Sequence, residues 1–413
     1  GAGGGGGGAG AAAQLPAEDE RAKMLRIARG VQDLVRQGYR QLSPEHFVRA
    51  ADCVGELPSG SFARRYLSGF IMNGHGNLLV AQGMPSEAGP LLKGAYEHAM
   101  EEAHQGLCDD QYSDIVSFAS DLAINHAQNG DLYQAEKLLK RALYWVQSAR
   151  TDPDAALLTA THSNLGVVQA LQGKWSAALD CQERAVDSDT GEDHVVSVAA
   201  SVNLSMAMRR EGILDRGAAL ARQCLARSAI VLQDTLDQEG ALDGDRASVA
   251  QASLVRAAAL VNAGLFSLDQ AASGADIDRA FLLATEALDL RFVDPRPALL
   301  LQAIAAPDLS VAKAALDKAL EGAPTDPILR CAILENSVAC ELFDLGKADH
   351  QRFGLDAGCG PVNQLALCRL PCGPTGLEMW VQDHSPFVSG LTLRNFIRDA
   401  APLEISAPAA SAP

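Results

Sequence analysis

The stretch from Asn164 to Val186 reads NLGVVQALQGKWSAALDCQERAV, and the spacing of its small residues decides the fold. Gly173 has Gly166 seven residues before it, Ala178 five after and Ala185 twelve after. The same offsets place Ala123, Ala135 and Ala142 around Gly130, and Gly76, Ala88 and Ala95 around Gly83. Ser205, Gly217 and Cys224 stand around Gly212, so all twelve bracketing positions are Gly, Ala, Ser or Cys. A helix, a tight turn at the glycine and a second helix satisfy this pattern. The small residues then fall where the helices of one pair, and of neighbouring pairs, come within contact distance. A stack of such hairpins is a surface for holding other molecules.

These offsets resemble the tetratricopeptide repeat, in which small residues hold this relation and a proline often follows the second helix. The stretch AINHAQNGDLYQAEKLLKRALYW, from Ala123 to Trp145, carries the same resemblance. Weaker copies follow at Ala280 with Ala287, and at Ala312 with Ala319, after which Pro324 comes five residues on. Successive turn glycines lie 47, 43 and 39 residues apart, longer than the usual ~34, a stretch similar to that of kinesin light chains. The resemblance covers roughly 70–352. It implies an all-α, right-handed α-solenoid of stacked helical hairpins, acting as a protein-interaction scaffold, an adaptor or an assembly factor.

Composition agrees with that class. Aromatics are only 5% of the 413 residues, so a core must be built mainly from Ala and Leu, which suits close helix contacts. The net charge of −17 argues against a phosphate-backbone partner, since nucleic-acid binders carry a basic footprint. Nine scattered cysteines form no disulfide framework, which favours a reducing compartment. No apolar run is read as reaching the ~18 residues of a membrane span. The expected setting is soluble and intracellular, cytoplasmic or organellar, mitochondria included.

Along the chain, 1–16 read as a low-complexity, flexible leader, either the remnant of a processed targeting segment or a truncation. Residues 17–68 read as capping helices: Ala17 to Leu42 has Met24, Ile27, Val31, Leu34 and Val35 at helical spacing. A shorter helix follows with Ser43 as N-cap and Pro44 at its first position. Residues 69–352 form the solenoid. Within it Asp234 to Asp245 reads as a loop, Asp269 to Asp276 as the fifth hairpin turn, and Asp294 to Pro297 as a helix start. A final helix is expected from Pro324 to about Leu345. Residues 353–401 are a Gly-, Pro- and Cys-rich element of different texture, and 402–413 a disordered tail.

Catalytic signals are weak. Cys359, Cys368 and Cys372, with His350 and His384 nearby, offer only one pair near zinc-ligand spacing. Reduced cysteines in a packed loop are preferred, and a metal or redox site there is a remote alternative. His75, in NGHGN, lacks the Lys-Ser/Thr ending of a phosphate loop and sits where an inner helix should run. No cofactor is expected. The better candidates lie on the first helices, where the family's concave groove is built. Asn164 and Asn203 each stand nine residues before a turn glycine and could serve peptide amides. Asp121 holds the equivalent place one repeat back, beside Ser120, and Arg209, Arg210 and Arg256 offer charge to an acidic terminus. A chaperone-tail clamp is disfavoured, because Ser120, Ile124 and Ala199 stand where the family's Lys, Asn and second Lys would. The partner is therefore a protein or peptide held in an open inner groove; the alternative is a structural subunit of a larger assembly.

Overall fold

The computed structural model describes residues 18–321, apart from 83, 105–111, 149–153, 189–193, 243–245, 272, 291–292 and 294. The leader, the turn at Gly83, the Pro324 helix, the Cys-rich element with its cysteine–histidine cluster, and the tail all lie outside the described residues. Among the described residues every regular element is a helix. They pair as α1 (Glu18–Gln41) with α2 (Glu45–Gly55), α3 (Phe62–Ala81) with α4 (Pro85–His104), and α5 (Tyr112–Gln128) with α6 (Leu132–Gln147). Next come α7 (Ala155–Leu171) with α8 (Trp175–Asp187), α9 (His194–Arg210) with α10 (Leu214–Leu242), and α11 (Arg246–Asp269) with α12 (Gly274–Leu288). The last pair is α13 (Arg296–Ile304) with α14 (Leu309–Leu320).

Three of the hairpin turns close by the same local chemistry. Gly130, Gly173 and Gly212 have φ of +81°, +75° and +78°, the left-handed conformation that glycine adopts without Cβ cost. In all three the following amide reaches back five residues: Asp131 N–H to His126 O at 2.8 Å, Lys174 to Gln169 at 2.9 Å and Ile213 to Met208 at 2.8 Å. This is a Schellman closure, which satisfies carbonyls that a helix end would otherwise leave free. The next helix starts at once, and at Asp131 the side chain accepts from Gln134 N–H.

The first helix of each pair touches the first helix of the next, α1 to α3 and onward to α13, forming one continuous inner row. Second helices lie outside it. Small residues let the outer helices close onto this row: a Cβ on Gly76 of α3 would lie 2.6 Å from Leu92 Cγ of α4, and one on Gly217 of α10 would lie 2.7 Å from Phe266 Cζ of α11. The bracketing residues Ala88, Ala95, Ala123, Ala135, Ala142, Ala178 and Ala185 are all buried.

Several expectations change. Helix α10 continues to Leu242, through the part of the expected loop that lies within the described residues, with Thr235 Oγ1 donating to Val231 O at 2.7 Å and Gln233 to Asp237 at 2.8 Å. Asp234 and Asp237 are exposed on a helix that outgrows its neighbours, so their polarity marks exposure and not a break. Ser43 does not cap α2; Pro44 takes that position in helical conformation, with no side-chain cap. The solenoid's second inner helix, α3, begins at Phe62 behind Ser61, whose Oγ accepts from Arg64 N–H at 3.3 Å, ahead of the boundary expected at 69. A further correction concerns hydropathy. Ser248–Asp269 is 22 residues long with mean hydropathy 1.4, enough by length and composition to cross a membrane, yet 83% of that window is buried inside the protein. It is a largely buried inner helix, packed among α9, α10, α12 and α13, which accounts for its apolarity.

Ala178→Leu should overpack the α7–α8 crossing and lower stability by about 1–3 kcal/mol. Chemical denaturation of the two proteins at equal concentration measures this, and unchanged stability would contradict close packing there.

Candidate functional site

The inner row is where a partner-facing surface was expected, and the structure encloses it. Residues 115–125 of α5, 159–169 of α7 and 195–208 of α9 are buried without interruption, on every face of each helix. Neighbouring inner helices flank each one, outer helices cover it, and the array curls far enough that α1 also touches α11. The open groove read from the sequence is corrected to this enclosed row.

Its polar side chains clasp adjacent hairpins. Asn203 Nδ2 donates to Ser163 Oγ at 3.0 Å, from α9 to α7, and Asn262 Nδ2 donates to Ser205 Oγ at 2.6 Å, from α11 to α9. At the other end Asp121 on α5 accepts from Asn73 and Asn77 of α3 at 2.8 and 2.7 Å. An Asn on one inner helix thus meets an oxygen on the next, a repeated device that pins the register of the stack.

The predicted site residues divide accordingly. Asn164 is 0% exposed and Asn203 3%. Asp121 is spent on its two asparagines, and Ser120 beside it is buried with its Oγ lacking a hydrogen-bond partner. Arg256 is buried and bonds Ser228 Oγ at 3.1 Å, Leu225 O and Glu286, tying α11 to α10 and α12. Arg209 grips Asp269 with two nitrogens, one at 3.0 Å, and its side chain is 9% exposed. Arg210 alone is exposed, its guanidinium 5.0 Å from the Trp175 ring centre. The sequence expectation groups these arginines as joint charge for an acidic terminus; the structure engages them separately with their own neighbours.

Sequence reasoning missed the unpartnered acceptors. Asn73 Oδ1, Thr159 Oγ1, His162 Nδ1, Asn203 Oδ1 and Asn262 Oδ1 are buried along the same row without a hydrogen-bond partner. Burial pushes the His162 imidazole below its ordinary value, with Arg184 adding to the effect. No pattern in the sequence separates a buried asparagine from an exposed one. His75 is part of α3, as expected, stacked on Phe47 with ring centres 5.5 Å apart.

The described cysteines are packing groups. Cys181 and Cys224 are buried, and burial pushes both thiols up, that of Cys224 to about 12, so neither supplies a thiolate. Among the described residues no group of three or more His, Cys, Asp or Glu could hold a metal ion. A cleft where α3, α4 and α5 meet is lined by Arg65, Tyr66, His98, Asp114 and Phe118, without a nucleophile beside a base.

Between outer helices, Glu136 on α6 accepts from Lys140 and from Lys174 of the next hairpin, each at 2.7 Å. Burial pushes its carboxyl up, but hydrogen bonds from Lys140, Lys174 and Gln172 and the charge of Lys140 outweigh this and hold it at about 2.

These features define an α-solenoid of helical hairpins joined by polar clasps. Residues 114–191 match the tetratricopeptide repeat family model, and the chain carries tetratricopeptide repeats in that span. Among solved structures it is similar to BtubC (BKLC) from P. vanneervenii, with 22% identity and a TM-score of 0.42, over 56% of this chain and 92% of that one. No curated protein matches the chain significantly.

Two measurements test the clasps. Because the Glu136 pKa is depressed on folding, its stabilisation is complete above the ordinary carboxylate value of about 4.5 and is lost as pH falls through about 2. The stability gap between wild type and Glu136→Gln should therefore be full at pH 6 and shrink between pH 4 and 2; a gap constant with pH would refute the ion network. Asn203→Ala should cost about 1–3 kcal/mol by leaving Ser163 buried without its donor. A double-mutant cycle with Ser163→Ala that gave strict additivity would deny the clasp.

Proposed function

We propose that this chain is a non-catalytic scaffold that holds a partner polypeptide along its inner row of helices. Tetratricopeptide repeats are protein-interaction modules, and the observation that carries the finer reading is the file of buried, unpartnered acceptors on that row. Burying a polar atom without a partner costs free energy, so a donor brought to these atoms is favoured there. Backbone amides of an extended segment, which present donors at regular spacing, supply what these oxygens lack. Asn164, Asn203, Asp121, Ser120 and Arg256 would be reached by separation of neighbouring hairpins, with Arg209 and Arg210 at the margin of the row. Such coupling of binding to hairpin separation suits an assembly factor that grips and releases.

The net charge of −17 directs the scaffold away from nucleic acid, and the free thiols of Cys53, Cys181 and Cys224 fit a reducing compartment, cytoplasmic or organellar. A second reading, a structural subunit of a larger assembly, is favoured by exposed apolar side chains on outer helices, Ile230 and Leu282 among them.

Cross-linking mass spectrometry on complexes purified from the native host separates the two. Contacts on α5, α7 and α9, weakened in the Asn164→Ala, Asn203→Ala double variant at unchanged helicity, are expected. Cross-links confined to outer helices in a salt-resistant, stoichiometric complex would overturn the inner-row assignment in favour of a subunit.

A further inference from the structure

Helix α6 carries two of the three most exposed large apolar side chains in the described structure, Tyr133 at 71% and Tyr144 at 66%. At 3.6 residues per turn they share an arc of about 100° with Lys137, Lys140 and Arg141. All five are exposed. The two rings are about 16 Å apart along the axis, at ~1.5 Å per residue over three turns. The only carboxylate within α6 is Glu136, which is turned inward to hold Lys140 and Lys174. In a chain of net charge −17, this outer face is therefore cationic. Arg141 is steadied over the Tyr96 ring, 6.0 Å from its centre, and Lys137 has no partner among the described residues.

Tyrosine and arginine are enriched among the residues that dominate binding energy at protein interfaces: tyrosine buries large area with little loss of side-chain freedom, and arginine adds charge on a planar group. Interspersed cations on the same stripe add a demand for opposite charge, which speeds and orients encounter. A straight helical face three turns long is matched by another straight helix. We propose that the outer face of α6 docks an acidic amphipathic helix of a partner protein. Apolar side chains of that helix lie against Tyr133 and Tyr144, and its carboxylates face Lys137 and Arg141. The surface is separate from the inner row and does not depend on its occupancy.

The probe is a fluorescein-labelled designed helix with Glu at i, i+4 and i+7 and Leu between them, with a Gln-for-Glu counterpart, read by fluorescence anisotropy. Saturable binding of the Glu helix is expected. It should weaken about tenfold or more with the Gln helix, with Lys137→Glu/Arg141→Glu, and separately with Tyr133→Ser/Tyr144→Ser. Lys93→Glu on α4 should leave binding unchanged, and circular dichroism should show equal helicity, since every altered side chain is exposed. Absence of saturable binding overturns the proposal, as does equal binding by the tyrosine variant, which would reduce the effect to charge alone. Two other results also overturn it. In one, self-association in sedimentation velocity is abolished by Lys137→Glu/Arg141→Glu, making the face a contact between copies of this chain. In the other, phosphatidylserine vesicles are bound through these residues while the helix is not.

Discussion

At Gly166 the backbone of α7 runs so near the outer helix α8 that an added Cβ would meet Gln182 Nε2 at 2.5 Å, while that amide donates to Ser163 O at 2.8 Å. The same intimacy recurs at Gly264, where a Cβ would sit 2.6 Å from Leu301 Cδ2 of the following hairpin. Close approach of helices at Gly- and Ala-sized positions is the constraint from which the other features follow. It allows an aromatic-poor chain to bury long stretches of α5, α7 and α9 on every face, and it brings short polar side chains on adjacent helices within hydrogen-bonding reach. Dispersion between many closely spaced atoms, each weak, replaces the large side chains that a sandwich or barrel core would use.

Close packing also explains why the polar residues matter. Apolar contacts between smooth Ala-rich helices leave the axial register loosely fixed. The clasps at Asp121, Ser163 and Ser205 require matching partners one hairpin away, and a slipped register would bury them unsatisfied. Charged ties at Glu136, Arg209 and Arg256 do the same work toward the outside of the stack. The division between an enclosed polar row and a cationic, tyrosine-bearing outer face is the consequence with most bearing on function. One surface is accessible as it stands, and the other only through hairpin separation.

Much of this was legible beforehand. The turns at Gly130, Gly173 and Gly212 and the helix pairs around them follow from offsets within one repeat, because a left-handed glycine and its flanking contacts are local matters. The helix of α10 through Asp234 to Leu242 was not legible, since polar residues on an exposed helix and in a loop look alike until the neighbours are known. Equivalence of Asn164 and Asn203 was also readable as a pattern. Their burial was not, and neither was the sharing of one acceptor, Asp121, by Asn73 and Asn77 across 48 and 44 residues of chain.

The amino-acid sequence alone determined where the chain turns, which helices pair and where they touch, for these are set by glycine's backbone freedom and by side-chain size within some twenty residues. Tertiary structure decided which side chains meet solvent. That depends on the curvature accumulated over successive hairpins, enough to bring α1 against α11, and curvature is a sum of many small packing angles that no single repeat encodes.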